Sequence, residues 1–215
     1  EFVCLYGDGG CGKTTVISLM LGDEKPTSGT VEVDGADLAR VPKDALQMYR
    51  RRVGVIFEDG KLLPHATVYE NIALPLEIWG APEGWLKSRL EELLDLLNLQ
   101  EKRDAFPEVL SAGERAKVAL ARAIAAKPLI LFADEATGNL DITEAANFIR
   151  IMQDLQKSGT TIVFTTHDAA LLELLNARVI GMKDGVIVLD EKAGTVSNLK
   201  QMEKHEIFTE RPMEE

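Results

Sequence analysis

Eight residues near the start of the chain, Gly7-Asp8-Gly9-Gly10-Cys11-Gly12-Lys13-Thr14, fit the pattern G-x-x-x-x-G-K-[ST]. This loop has meaning only between a strand and a helix, and the sequence supplies both. Phe2 to Tyr6 is a short continuous apolar run, as in a strand buried on both faces. Lys13 to Leu21 has helical spacing, and Gly22 provides a stop. Glycines let such a loop curl until several backbone N–H groups point inward, and these donors with the helix N-terminus hold phosphate oxygens. The candidate phosphate-binding residues are therefore Gly7, Asp8, Gly9, Gly10, Cys11, Gly12, Lys13, Thr14 and Thr15. Lys13 is expected at the β- and γ-phosphates, and the Thr14 hydroxyl on magnesium. Cys11 reads either as a thiol open to oxidation when nucleotide is absent or as a small residue that fits the loop.

The rest of the chain alternates strands and helices, which implies an α/β fold with a parallel sheet. Strands are expected at Thr30 to Val33, before an Asp34-Gly35 turn, and at Val53 to Phe57, Leu129 to Ala133, Thr160 to Thr166, Arg178 to Met182 and Val186 to Leu189. Helices are expected at Lys43 to Arg52, Ile142 to Lys157 and Ala169 to Leu175. A helical stretch from Thr67 to Ile124 interrupts the pattern as an insertion. In it Leu86, Leu90, Leu93, Leu94 and Leu97 form one apolar stripe, too short for a zipper and suited to packing. The expected division is a core of residues 1–66 and 128–190, an insertion over 67–127, and a peripheral polar tail over 191–215. The chain opens at Glu1 directly on a strand, so further strands are expected upstream of this sequence.

The run Leu129-Ile130-Leu131-Phe132-Ala133 delivers Asp134 and Glu135 to a strand end, where α/β sheets place their sites. Asp134 would support magnesium, and Glu135 would take a proton from, or orient, an attacking water. An isolated acid pair at a strand exit is more often solvated or capping a helix; the phosphate loop in the same sheet favours the site. His167 follows the next strand and is read as a contact to the terminal phosphate.

In their order, these residues resemble the ATP-binding subunit of ABC systems. Phe57-Glu58-Asp59 stands where that family has its Q-loop, Leu110-Ser111-Ala112-Gly113-Glu114 looks like the LSGGE signature, and Asp134 to Asp141 resembles the Walker B and D-loop run. His167 matches the switch histidine. The resemblance implies a P-loop NTPase with a RecA-like sheet and an inserted helical subdomain, ATP and Mg2+ as ligands, and Glu135 and His167 as catalytic residues. It implies Thr14, Glu58 and Asp134 around the metal. It also implies a homodimer in which Ser111, Ala112, Gly113 and Glu114 meet the nucleotide of the other subunit. Ser111 and Glu114 also have capping-box spacing, as do Asp141 and Glu144; Asp141 is read both as a cap and as a dimer contact. The run from Arg51 to Phe57, Leu62-Leu63-Pro64, and Thr67 to Leu76 most resembles the cell-division branch of the family, with lipoprotein-release and macrolide-export branches near it. That implies an integral membrane subunit and a peripheral place on the cytoplasmic face of the bacterial inner membrane. Leu62, Leu63, Tyr69, Ile78 and Trp79 follow the Q-loop, where the family receives its membrane subunit; Leu76 and Ile78 are expected in the core, while Leu62 and Leu63 are open to either reading.

Two departures bear on activity. Glu58 stands for the family glutamine, keeping an oxygen ligand but adding charge beside the γ-phosphate. Ala112 stands for the first signature glycine, where a methyl group would oppose a left-handed backbone or close approach to phosphate. They leave a nucleotide-dependent switch with little turnover as the alternative to a hydrolysing motor. A nucleic-acid protein is disfavoured by 35 acidic against 24 basic residues, a formal charge of −11. The two cysteines, Cys4 and Cys11, are too few for a disulfide framework.

Overall fold

The computed structural model describes residues 1–192, and in it the apolar runs assemble into one six-stranded sheet. Its strands are β1 (Phe2–Tyr6), β4 (Val53–Ile56), β5 (Ile130–Asp134), β6 (Thr161–Thr166), β7 (Arg178–Lys183) and β8 (Val186–Glu191), in the order β4-β5-β6-β1-β7-β8. The first five are parallel; β8 returns antiparallel along β7. Two-residue strands β2 (Glu32–Val33) and β3 (Ala36–Asp37) form a separate hairpin, with Asp34 and Gly35 both at positive φ, as a tight two-residue hairpin requires.

Period-two alternation explains how the sheet is covered. Phe2, Cys4, Leu131, Ala133, Ile162 and Phe164 point to one side, and Leu5, Phe132 and Val163 to the other. The second side is closed by α1 (Lys13–Met20) through Ile17, with Leu21 just beyond its end. The first side meets α6 (Ile142–Lys157) through Phe148, Ile149 and Met152. It also meets α5 (Ala112–Ile124), and α3 (Val68–Trp79) and α4 (Glu83–Leu97), the other helices between β4 and β5, pack on α5 and extend the same core. In α4, Leu90, Leu93, Leu94 and Leu97 are fully buried and Leu86 is half-buried, so the stripe packs inward.

Gly54 shows how closely α5 lies on the sheet: a Cβ there would strike the carbonyl oxygen of Ala123 and stand 3.0 Å from Leu131 Cδ1. Gly54→Ala is expected to cost about 1–3 kcal/mol, as overpacking of a rigid core does, and to lower the melting temperature by several degrees in calorimetry. An unchanged melting temperature would show that α5 shifts freely.

Several boundaries differ from the sequence reading. The helix expected to Arg52 is α2 (Lys43–Arg50), because the Arg52 carbonyl accepts from Leu129 N–H and belongs to the entrance of the sheet. Helix α7 (Ala169–Leu172) stops early and continues only as tighter i→i+3 bonds through Leu174 and Leu175. The third large strand starts one residue late, leaving Leu129 exposed, and reaches Asp134. Strand β8 runs on to Glu191, where the polar tail was expected to begin; the rest of that tail, 193–215, lies outside the described residues. Leu76 is buried as expected, but Ile78 is 63% exposed, because α3 has by then run past the core.

Candidate nucleotide site

Strand order alone brings the three chemical segments together. Strands β5, β6 and β1 are neighbours, with Asp134 opposite Thr165 and Thr166 opposite Tyr6. Their carboxyl ends therefore deliver Asp134-Glu135, Thr166-His167 and the Gly7–Thr14 loop to one edge, with parallel strands about 4.8 Å apart.

The loop is tied down at both ends. Gly7 N–H donates to Thr166, and Gly185 N–H donates to the Cys11 carbonyl. A side chain at Gly7 would meet the Met182 carbonyl and Cys11 Sγ, so the sequence needs glycine there. Gly10 and Gly12 have φ of +80 and +106, the left-handed conformations glycine tolerates. Gly12 caps α1, whose first residue is Lys13. Cys11 is buried against Gly7, which supports the small residue that fits. Cys4, on β1 beneath the loop, is fully buried; burial first, and then the charge of Glu135, push its thiol up to about 12.

Lys13 is 5% exposed, and its ammonium group is fully engaged. It donates to the carbonyls of Gly7 (2.6 Å) and Asp8 (3.0 Å) and lies 3.1 Å from Glu135 Oε1. The other oxygen of Glu135 is 2.9 Å from His167 Nδ1. Lys13, Glu135 and His167 thus form a continuous chain, from a buried cation to a histidine whose side chain is 60% exposed. Glu135 has φ of +48, just beyond the strand end, and its N–H donates to Thr165 Oγ1.

Asp134 is held from two sides. Thr14 Oγ1 donates to its Oδ2 and Thr165 Oγ1 to its Oδ1, both at 2.7 Å. Sequence reasoning missed Thr165; its signal is a fully buried hydroxyl on the strand beside Asp134, in register with it. The Thr14–Asp134 pair is an all-oxygen donor set at the mouth of the loop, which suits Mg2+. Among the described residues no cluster of three or more His, Cys, Asp or Glu could hold a metal. Two protein ligands with water and phosphate completing the shell is how Mg2+ is ordinarily held. Glu58 is exposed on the turn after β4, and among the described residues it makes no hydrogen bond to Thr14 or Asp134.

The signature residues sit elsewhere, at the N-terminus of α5. Ser111 Oγ accepts from Glu114 N–H (3.1 Å) and Glu114 Oε2 accepts from Ser111 N–H (2.8 Å), a complete capping box. That backbone bond, more than any other partner, holds the Glu114 carboxyl below its usual range. Ala112 is the first residue of the helix and has no left-handed backbone; the conformational objection to its methyl group does not apply. At Gly113 the Glu144 carboxylate occupies the place a Cβ would take, so a larger residue there would have to displace that side chain. Asp141 caps α6 by accepting from Glu144 N–H, but the reciprocal bond expected from the spacing is not made: the Glu144 side chain lies against Gly113.

Beyond the Glu58 turn, Leu62 is half-buried against the core and Leu63 is 44% exposed. Asn71, fully buried, was also missed: its side chain accepts from Leu63 N–H and donates to the carbonyls of Leu63, Ala66 and Thr67, fixing that loop. Trp79 is exposed and meets Trp85 edge to face, ring centroids 5.9 Å apart. Among the described residues no helix is long and apolar enough to cross a membrane.

A strand, a phosphate loop opening a helix, and an acid pair at the next strand but one define a P-loop NTPase. Comparison with known proteins narrows the class. The sequence profile described as "ABC transporter" matches residues 1–138. The cell division ATP-binding protein FtsE of Bacillus subtilis is 40% identical over 194 residues, covering 90% of this chain and 85% of FtsE. The methionine import ATP-binding protein MetN of Chromohalobacter salexigens is also 40% identical, over 88% of this chain but 55% of MetN. The dimeric cassette MJ0796, solved in a post-hydrolysis state with ADP and Pi, superposes with a TM-score of 0.81 at 31% identity, covering 89% of this chain and 85% of that one. The chain belongs to the ABC transporter family and is an ABC-type ATPase.

Proposed function

We propose that this chain is the ATP-hydrolysing subunit of an inner-membrane ABC complex of the FtsE kind. In this reading it couples ATP-driven pairing of two copies to an integral, FtsX-like membrane subunit in cell division. The observation that carries the reading is the chain Lys13–Glu135–His167 beside the Thr14–Asp134 pair. FtsE identity over most of both proteins supports the subgroup, while the match to MetN covers little more than half of that protein.

The residues divide the work as follows. Loop N–H groups and the start of α1 bind the phosphates of ATP, and Lys13 exchanges its loop carbonyls for β- and γ-oxygens. Thr14 and Asp134 would hold Mg2+, with Glu58 as the further oxygen ligand that the family resemblance implies, and when bound the ion would supply charge neutralisation to the phosphates. Glu135 orients the attacking water and accepts its proton. His167 steadies Glu135 through Nδ1 and faces the γ-phosphate with its exposed edge. Ser111, Ala112, Gly113 and Glu114 of the second copy close the site, where the α5 N-terminus faces an anion favourably; Asp141 lies at the same junction.

The test is phosphate release from Mg-ATP by the full-length protein, alone and with the integral membrane subunit of the same organism. Turnover that rises with that subunit, together with cells that elongate without dividing on depletion, is the expected result. Normal division with failed lipoprotein or macrolide export would hand the chain to the exporter branch. ATP-driven dimerisation without turnover would make it a switch.

A further inference from the structure

We propose that Arg122 is a positioning residue: it fastens the turn carrying Glu58 onto α5, so that this turn and the Ser111–Glu114 end of the same helix move as one body. The inference rests on the reading of Glu58 as a residue beside the metal and terminal phosphate.

The turn leaves β4 at Phe57 and ends in two consecutive left-handed residues, Gly60 (φ +68) and Lys61 (φ +41). Lysine in that conformation is strained and persists only where surrounding structure dictates it. Inside the turn, Gly60 N–H donates to the Phe57 carbonyl, Lys61 N–H to Asp59 Oδ1, and Lys61 Nζ lies 4.2 Å over the Phe57 ring. Among the described residues, the hydrogen bonds that reach the Gly60 and Lys61 backbone from another element come from one side chain. Arg122 donates from Nη2 to the Gly60 carbonyl (2.6 Å) and from Nη1 to the Lys61 carbonyl (2.8 Å). A planar guanidinium holds two neighbouring acceptors in a fixed relation; an ammonium is a single point of charge. Burial weakens the guanidinium's hold on its proton, and Asp59 on the same turn works against that loss.

Arg122 stands in the last turn of α5, and Ala112 is its first residue, about 15 Å away at 1.5 Å per residue. Between them the helix floors a small crevice, with Glu58 on one side and Ala136 and Asn139, just past Glu135, on the other. Movement at the signature end therefore reaches the Glu58 turn through the helix and the two bonds of Arg122. Arg89 grips the same end of α5 without touching the turn, donating to the carbonyls of Ile124 and Ala125 from α4. It is a matched control for simple loosening of the helix.

The experiment compares the full-length protein with Arg122→Ala, Arg122→Lys and Arg89→Ala, each with native Glu58 and with Glu58→Ala. Hydrogen exchange of residues 57–63 is read without nucleotide; kcat, KM and affinity for Mg-ATP are read on the same proteins. Arg122→Ala is expected to speed exchange of that segment by about tenfold or more while β5 and β6 keep their protection, and Arg122→Lys to restore only part. Arg122→Ala should lower kcat by about tenfold with native Glu58 and by less than about twofold in Glu58→Ala, whereas Arg89→Ala multiplies with it. Unchanged exchange, or an Arg122 loss that multiplies with Glu58, overturns the inference. Should Arg122→Ala fail to fold, Arg122→Lys carries the same cycle. Absence of wild-type turnover would count against the ATPase reading alone, because exchange and nucleotide affinity still decide the role of Arg122.

Discussion

Glu135→Gln is expected to reduce phosphate release by about 10²-fold or more, the scale of a lost general base, while ATP-driven pairing of two copies survives. The geometry explains why the change is selective. Glutamine has the shape of glutamate, and the backbone N–H at this position still donates to Thr165 Oγ1. One amide oxygen can keep the contact to Lys13, and the amide nitrogen can donate to His167 in the tautomer whose Nδ1 accepts. What is lost is the negative charge and the capacity to receive a proton. Single-turnover phosphate release measures the chemistry, and sedimentation with and without ATP measures pairing. Turnover within about threefold of wild type would place water activation on another group and remove Glu135 from its role.

How far the sequence reveals this site depends on whether a residue acts through a local pattern or through the fold. The phosphate loop, Asp134, Glu135 and His167 all stand at strand ends, and strand ends are marked by apolar runs that stop abruptly. Ser111 and Glu114 meet three residues apart, so their capping box is written in the spacing; the structure supplies both bonds. The same spacing misleads at Asp141 and Glu144, where a long-range neighbour, Gly113, takes the glutamate side chain. Thr165, Asn71 and Arg122 were invisible for the same reason. Their partners lie on other elements or on loop backbone, and sequence distance gives no sign of such contacts. Ile78 shows the limit from the other side: its helix is amphipathic, but where that helix leaves the core depends on the length of its neighbours, which periodicity does not contain.

The second large effect is expected at Lys13, and it separates binding from chemistry. Lys13→Ala should weaken ATP affinity by about 10²-fold or more, because a buried charge-assisted contact to phosphate is lost with its partners left in place. The side chain is almost fully buried, and its three protons meet the Gly7 carbonyl, the Asp8 carbonyl and Glu135. Truncation leaves two carbonyls and a carboxylate facing the phosphate path with no cation among them, so the site changes from attracting anions to repelling them. Lys13→Arg is expected to rescue poorly: a flat fork cannot aim at three acceptors arranged around one point, and it needs room the loop does not have. Thermal unfolding reads this directly. A ligand at about 100 times its dissociation constant stabilises the native state by about 2.7 kcal/mol, which at this chain length raises the melting temperature by roughly 5–10 °C. Wild type and Glu135→Gln should both show that rise with Mg-ATP, and Lys13→Ala should lose it. An equal rise in all three would mean that the loop amides bind phosphate unaided and that Lys13 serves only to neutralise Glu135.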